Sequence, residues 1–510
     1  MTTTPPPPSG SSAQDERRAP DAPFESYVDV LLATLARRPD RVVLTSDDRT
    51  LTGGEVGEGV ARAAGVLARR GVGPGTTVAL RTGNRPEALL ARYAANLLGA
   101  RVLHLGDDLP AARQAQLLAD TGAVLLLTDP DGEPAPAPAV LALDRALFTA
   151  GPLPAPVPAA VRPGDDWCLR LTGGTTGPPK AVRLGHGAYR LMLAGLTAGL
   201  PADGSVRLLS CTSLAHLAGI FADAALLAGG SVVVQPRFDP AEVHAALDRQ
   251  EITDLWLLPP LLYELLDHPR PAGARPPALR RLYYGGTPAA PGRLRQAAEV
   301  FGPVLHGSYG QTETGPIAGV GPDEHGVTGP DGRITAGRPL PGVGVEIRDP
   351  AGAVRPPGRD GEVHVRSAMA MNGYWGRTGT AAGLPADGWI ATGDVGRLDG
   401  AGYLHLVDRL REIVVVVGGH LHPAEAEQVL LGDPEVAQCA AYGTTGPDGT
   451  EELHAAVRPA PGRRPDPGRL AGLVAERLGS LYAGTRIRLV DALPLTPAGK
   501  PDKARLRAGG

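Results

Sequence analysis

The sequence predicts an α/β fold with a β-rich stretch in its second half and a small α+β unit at its C-terminal end. Three observations predict it. Residues 25 to 160 alternate helix-like and strand-like runs, the pattern of largely parallel sheets covered by helices. Residues 324 to 400 become turn-rich and β-rich, as in GRPLPGVGVEIRDPAG, GEVHVRS and GWIATGDVGRLDGAGYLHL. After LVDRLREIVVVV short α/β units return, which places a boundary at about 408 to 412.

In order, residues 1 to 23 (MTTTPPPPSGSSAQDERRAP and the three that follow) read as a disordered tail, too polar and Pro-rich to bury a core. ESYVDVLLATLARRPD is an amphipathic helix, VVLTS a strand, and GEVGEGVARAAGVLARRGV a helix ending near Gly71. TTVALR is a strand, PEALLARYAANLLGA a helix and VLLLTD a strand. Pro/Ala-rich stretches then lead as surface loops into the strand WCLRLT. SVVVQ, TDLWLLPP and LRRLYYGG look like buried strands with helices between them. Residues 24–408 form the N-terminal part and 409–510 a C-terminal domain of about 100 residues.

Composition excludes several functions. In 510 residues, 43% hydrophobic and 20% charged is an ordinary globular balance, and a formal charge of −4 offers no basic surface for nucleic acid. Three distant cysteines give neither a disulfide framework nor metal-ligand spacing, which fits a reducing compartment. The first residues lack a basic region followed by an apolar run, and no stretch approaches the ~18 apolar residues of a membrane span. The expectation is a cytoplasmic protein with no nucleic-acid or membrane partner. Only Lys180, Lys500 and Lys503 are lysine among 50 basic residues, and two of them close Gly/Pro-rich motifs. A compact ammonium on a thin stem enters a narrow site that a planar guanidinium does not.

Four motifs carry chemistry. LTGGTTGPPK (171 to 180) follows a strand, and its glycines let backbone N–H groups approach an anion, with Thr hydroxyls beside them. It is not the G-x-x-x-x-G-K-[ST] P-loop, since Pro178 and Pro179 part Gly177 from Lys180. GSYGQTETG (307 to 315) sets an aromatic ring among glycines beside Thr312 and Glu313, a hydroxyl and a carboxylate suited to Mg²⁺. GWIATGDVG holds Asp394, whose carboxylate can accept from two neighbouring hydroxyls, although an Asp in a turn also serves as a local cap. LPLTPAGKPDK carries Lys500 on a loop near the chain end. Taken singly, the first two motifs are also readable as unliganded polar turns, and the Asp394 motif is the weakest of the four signals.

In this order and at these separations, the four motifs resemble the adenylate-forming (ANL) superfamily of acyl-CoA synthetases, peptide-synthetase adenylation domains and luciferases. The resemblance covers residues 25 to 505, supported by GVGPGTTVAL, YYGGTPA, GRPLPG and DRLREIVVVVGGHLHPAEAE. It implies a large N-terminal domain of two α/β subdomains plus a β-rich subdomain, with a small mobile C-terminal domain. By resemblance, Thr172, Gly174, Thr175, Thr176, Gly177 and Lys180 would wrap the β- and γ-phosphates of ATP. Gly285, Gly286 and Thr287 would edge the adenine, and Tyr309, followed by Gly310, would stack on it. Thr312 would contact the α-phosphate, Glu313 would hold Mg²⁺, and Asp394 with Arg409 would take the ribose. Lys500 matches the catalytic lysine, and His216 an active-site histidine near the acyl group.

The implied reaction is ATP-dependent adenylation of a fatty or aromatic carboxylic acid, with release of pyrophosphate and transfer to CoA, in a secondary-metabolism setting. Two alternatives are an acyl-AMP ligase that loads a separate carrier protein and a diazotase that activates nitrite for an aryl amine. The family's C-terminal domain rotates between half-reactions, and Arg411 stands at the hinge where Lys or Asp is usual, with Gly418-Gly419 brought towards the pantetheine channel. Departures include TGG for T-S-G in the loop, Ala498 for a common Ser, and LYAGTRIRLV without the usual Tyr-Lys-x-Pro. The last makes thiol acceptance less secure than adenylation.

Overall fold

The computed structural model describes residues 24 to 509 except 48, 107–108, 133–136, 138, 152–158, 173–179, 269–274, 331, 378–382, 417–418, 446–450 and 497–498. The tail 1–23, the loop residues Gly174, Thr175, Thr176 and Gly177, and also Gly418 and Ala498 lie outside the described residues.

Local signals start the helices where the sequence places them. Ser26 and Asp29 form a reciprocal capping box on Tyr27–Ala36, and Thr52 with Glu55 does the same for Gly53–Ala68. The helices Pro86–Leu97, Pro240–Arg249, Pro259–Asp267, Pro291–Phe301, Pro423–Leu431 and Pro467–Leu478 each begin on proline, whose fixed φ and missing N–H suit a first helical turn.

Two sheets build the N-terminal part. One runs Gly373–Tyr374, Lys180–Gly185, Asp166–Thr172, Arg101–His104, Thr77–Arg81, Ala123–Thr128, Val140–Ala142, parallel from Asp166–Thr172 onward. The other has nine strands among the described residues, with Arg281–Gly285 and Leu305–Gln311 side by side towards one edge. Val42–Ser46 pairs in parallel with Ser231–Val234 in this second sheet, although neighbouring segments of sequence build the first. Helix–strand alternation fixes element type but not a strand's partner, so this crossing was not legible. The four-residue strand Arg101–His104 was likewise not singled out in the sequence.

A shared core fills the space between the sheets. Pro86–Leu97 lies in it with every residue buried. Its polar side chains find partners there, although Arg92 Nε itself stays unpaired. Arg92 Nη2 and the Tyr93 hydroxyl donate to Asp223 at 2.6 Å each, and Tyr189 also donates to Asp223. Asp223 belongs to the helix Leu217–Leu227, so this knot of buried charge ties that helix to the helices Pro86–Leu97 and His186–Ala198.

The β-rich stretch is an antiparallel four-stranded sheet, Gly344–Arg348, Gly361–Arg366, Ile390–Leu398 and Leu404–Arg409. Beyond Arg409, a separate hydrophobic cluster runs from Val414 to Tyr482 under the sheet Val436–Thr445, Glu451–Pro459, Arg486–Leu489. Among the described residues no helix is long and apolar enough to cross a membrane.

Candidate active site

The strands Arg281–Gly285 and Leu305–Gln311 run parallel, and their C-terminal ends open on a cleft. Gly285 allows that pairing, since a Cβ there would lie 2.3 Å from the Ser308 carbonyl oxygen. The Lys500 loop closes the cleft from the far end of the chain. Thr496 and Lys500 bracket a tight turn, with the Thr496 N–H donating to the Lys500 carbonyl at 2.7 Å and the Gly499 N–H to the Thr496 carbonyl at 2.7 Å. Gly499 has φ +76°, a conformation glycine takes without a Cβ penalty. Lys500 Cε would lie 3.7 Å from a Cβ on Gly286, which sets the lysine stem against that glycine. Crowding lowers the Lys500 pKa and Arg409 adds to the effect, while Asp394, Glu313 and Glu412 oppose it. The ammonium is exposed at the cleft mouth yet surrounded on its protein side.

Asp394 is the most heavily used carboxylate in the cleft. Buried on the strand Ile390–Leu398, it accepts from the Tyr309 hydroxyl at 2.6 Å, from Gln311 Nε2 at 2.8 Å and from Arg409 Nε at 2.9 Å. Arg409 stands directly opposite Asp394 in the antiparallel pairing. Burial, then the Asp394 charge, raises the Tyr309 pKa, so its hydroxyl stays a donor.

Thr312 and Glu313 sit in the turn joining Leu305–Gln311 to Gly315–Val320, where Gly310 opposes Pro316 too closely for a Cβ, 2.6 Å from the Gly315 carbonyl oxygen. Glu313 Oε1 accepts from the Tyr374 hydroxyl at 3.2 Å. Lys180 Nζ lies 4.8 Å from the centroid of the same Tyr374 ring. Thr172 pairs with Lys180 across an antiparallel hairpin, so these two residues fix the ends of the loop between them. Burial, then Glu313, pushes the Tyr374 pKa up to about 12.

His216 caps the N-terminal end of Leu217–Leu227, the helix anchored through Asp223. Burial, then Arg170 and Lys500, pushes its pKa down to about 4, so the ring is neutral near pH 7. Behind it, Phe221 stacks on Trp256 at 5.2 Å and meets Tyr283 at 4.7 Å, and Tyr283 meets His306 at 5.4 Å. A cavity of about 10 Å³ beneath Phe221 and Tyr283 holds no more than about one water.

The chain thus gathers Lys500, Glu313, Asp394, Arg409, Gly286 and His216 around one cleft, from segments nearly 300 residues apart. Thr172 and Lys180 mark its edge through Tyr374. Gln311 and Tyr374, which hold Asp394 and Glu313, were missed, because a Gln inside a motif and a Tyr on a two-residue strand carry no signal of their own.

The donors present fit a nucleoside triphosphate with a divalent cation. Thr287 Oγ1, beside Gly286, is sealed from solvent without a partner, ready for a hydrogen bond from a ligand. Among the described residues no group of three or more His, Cys, Asp or Glu could cage a metal. An ion at Glu313 would therefore complete its shell with phosphate oxygens and water, as Mg²⁺ commonly does.

A family model described as AMP-binding enzyme matches residues 31–375, and one described as AMP-binding enzyme C-terminal domain matches 425–500. A medium/long-chain-fatty-acid–CoA ligase, FadD8 of Mycobacterium tuberculosis, is 32% identical over 94% of this chain and 89% of its own length. A feruloyl-CoA synthase of Amycolatopsis is 34% identical over 92% of this chain and 96% of its own. The solved structure of the amide bond synthetase McbA from Marinactinospora thermotolerans superposes with a TM-score of 0.83 at 33% identity, covering 95% of this chain and 99% of that one.

Proposed function

Because the chain belongs to the AMP-binding enzyme family of adenylate-forming ligases, we propose that it activates a carboxylic acid with ATP and passes the acyl group to CoA. The observation that carries this reading is Lys500, brought from the C-terminal loop to a cleft shared with Glu313, Asp394 and His216.

In the first half-reaction a carboxylate oxygen attacks the α-phosphorus in line, and the bond to the β-phosphate bridging oxygen breaks to release pyrophosphate. Both partners are anions, so the work is positioning and charge neutralisation. Lys500 places an ammonium at the α-phosphate and the acid carboxylate, where its reduced hydration strengthens the attraction. Thr312, in the same turn as Glu313, offers a hydroxyl. Mg²⁺ held by Glu313 supplies charge neutralisation when bound. The loop between Thr172 and Lys180 holds the departing phosphates, Asp394 and Arg409 orient the ribose, and Tyr309, Gly285, Gly286, Thr287 and Gly310 frame the adenine. In the second half-reaction a thiolate attacks the acyl carbonyl and AMP leaves. Neutral His216 sits at the acyl wall without adding a second cation.

We place the domain boundary at 408–409, at the end of the last strand of the four-stranded sheet and ahead of the separate cluster that begins at Val414. Rotation about Arg411 would withdraw Lys500 between half-reactions. The closed aromatic floor of Phe221, Trp256 and Tyr283 favours compact acids, aromatic ones included, over long alkyl chains. The test is pyrophosphate release over a panel of fatty and aryl acids, each with CoA, a pantetheinylated carrier protein, or no acceptor. Acid-dependent pyrophosphate release with CoA-dependent thioester is the expected result; pyrophosphate release with nitrite and an aryl amine alone would overturn the acid reading.

A further inference from the structure

Among the described residues, three nitrogen-bearing side chains, Arg170, His104 and His216, meet no carboxylate partner. Arg170 and His104 lie near the C-terminal ends of adjacent parallel strands, where α/β sheets bind ligands. The pairings Val102↔Cys168 and Leu103↔Leu169 put His104 beside Arg170 one step further on. Leu103 and Leu169 point to the outer cluster, whereas Val102 and Cys168 point into the core shared with Leu214 and Ile220. Arg170 and His104 therefore face the helix that His216 caps.

The Arg170 guanidinium lies 6.0 Å from the Trp167 ring centroid, and its Nε is buried without a partner. Cys168, two residues earlier on the same face, hydrogen-bonds to Arg170, and among the described residues neither the Arg170 terminal nitrogens nor the rings of His104 and His216 are sealed from solvent without a partner. The charged neighbours of His104 are Arg92, Arg170 and His216, and those of His216 are Arg170 and Lys500, with no carboxylate on either side. Arg92 is already committed to Asp223. Only Nε of Arg170 is sealed from solvent, so the terminal nitrogens present an open fork to an arriving anion.

The reacting carboxylate is not that anion. His216 feels both Arg170 and Lys500, whereas the leading charged neighbours of Lys500 are Arg409, Asp394, Glu313 and Glu412. Lys500 reaches the reaction centre from beside Gly286 on the second sheet, whereas Arg170 stands on the first sheet and faces the helix that His216 caps. The ATP phosphates are a weaker fit too, since Arg170 lies two residues, about 6.6 Å of strand, inward of Thr172.

We propose that Arg170, assisted by His104, is a specificity-determining residue that binds a second carboxylate on the acid substrate, so that the preferred substrates are dicarboxylic acids. This rests on the adenylation reading above. The planar fork of Arg170 suits a bidentate carboxylate, and His104 adds one neutral hydrogen bond.

The experiment compares skeleton-matched acids, adipate against hexanoate and terephthalate against benzoate, by ATP–pyrophosphate exchange with the full chain, its Arg170→Met variant and its Arg170→Lys variant. The wild type should favour the diacid of at least one pair by about tenfold or more in kcat/KM, because a site built around a polar group rejects the analogue that lacks it. Arg170→Met should cut that diacid-to-monoacid ratio by about tenfold or more, and Arg170→Lys, which keeps the charge but loses the fork, should cut it less. A wild-type preference for both monoacids overturns the proposal. So does an Arg170→Met variant whose main defect is a raised KM for ATP or CoA, or an equal loss on both members of a pair. Should Arg170→Met not fold, the Arg170→Lys ratio decides. No exchange with any acid would instead defeat the adenylation reading itself.

Discussion

The Tyr309 hydroxyl donates a 2.6 Å hydrogen bond to the Oδ2 of Asp394 that also accepts from Gln311 Nε2 at 2.8 Å. A carboxylate has about four acceptor positions, and Arg409 takes a third. One position on Oδ1 remains for a ribose hydroxyl. Tyr309 therefore occupies a seat that a ribose diol would use, and the ring must give up its hydrogen bond for both hydroxyls to reach Asp394.

Tyr309→Phe keeps the aromatic face and frees Oδ2. An ordinary hydrogen bond contributes about 0.5–1.5 kcal/mol net, so KM for ATP should fall by about 2–10-fold in this variant. Asp394→Ala removes the seat itself, and losing hydrogen bonds to a charged acceptor at about 1.5–3 kcal/mol each should raise KM for ATP more than tenfold. Steady-state kinetics at saturating acid distinguish the two. A Tyr309→Phe variant as impaired as Asp394→Ala would mean that the phenol contacts the nucleotide directly.

Lys500→Ala should remove the first half-reaction and spare the second. Loss of one preorganised charge donor costs about 10²–10³ in rate, so ATP–pyrophosphate exchange should fall by at least that factor. Thioester formation from a supplied acyl-adenylate should stay close to wild type. Equal damage to both steps would place Lys500 in the fold rather than in the chemistry.

Lys500 was legible in the sequence because lysine is so rare in this chain, and Glu313 and Asp394 because each stands in a dense Gly/Thr motif. What was not legible is how the cleft's own residues occupy one another. Gln311 and Tyr309 fall on one strand and Asp394 on another about 80 residues later, and no local pattern announces that they meet. Arg170 was hidden for a different reason. An arginine inside an apolar strand reads as an edge residue snorkelling to water, and only strand pairing with Arg101–His104 shows that it points inward. The pairing of Val42–Ser46 with Ser231–Val234 was invisible for the same reason, since partner choice is a long-range property.

Stability should fall as pH drops through the window set by His216. Its folded pKa is near 4 against an ordinary 6.5, with burial the main cause, followed by Arg170 and Lys500. The unfolded chain binds the proton first, so the contribution is fully present above about 6.5 and is lost as pH falls towards 4, amounting to roughly 3 kcal/mol. His186, also near 4, acts in the same direction. Urea midpoints of wild type and His216→Gln should therefore converge with each other at pH 5 and diverge at pH 8, or shift by a constant if the ring is hydrated in the fold.

Lys503, the third lysine, belongs to the architecture of the C-terminal unit. Its ammonium lies 2.6 Å from Glu412 Oε2 and 3.1 Å from Glu427 Oε1, with all three side chains at most 17% exposed. Glu427 Oε1 also accepts from the Ala441 N–H at 2.9 Å. Lys503→Met leaves two carboxylates facing each other without a cation. Breaking a buried pair this way costs about 3–5 kcal/mol, and the partial exposure here argues for the lower end. Lys503→Arg should recover part of the loss, and Lys503→Met combined with Glu427→Gln should recover more, because the uncompensated charge is what destabilises. The Lys503 pKa is raised, since Glu427 and Glu412 outweigh burial, so its contribution is whole below an ordinary lysine pKa of about 10.4 and fades at higher pH. Melting curves at pH 8 should separate wild type from Lys503→Met, with the gap narrowing above pH ~10.4. A gap that stays constant into the alkaline range would assign the loss to packing of the lysine stem instead of its charge.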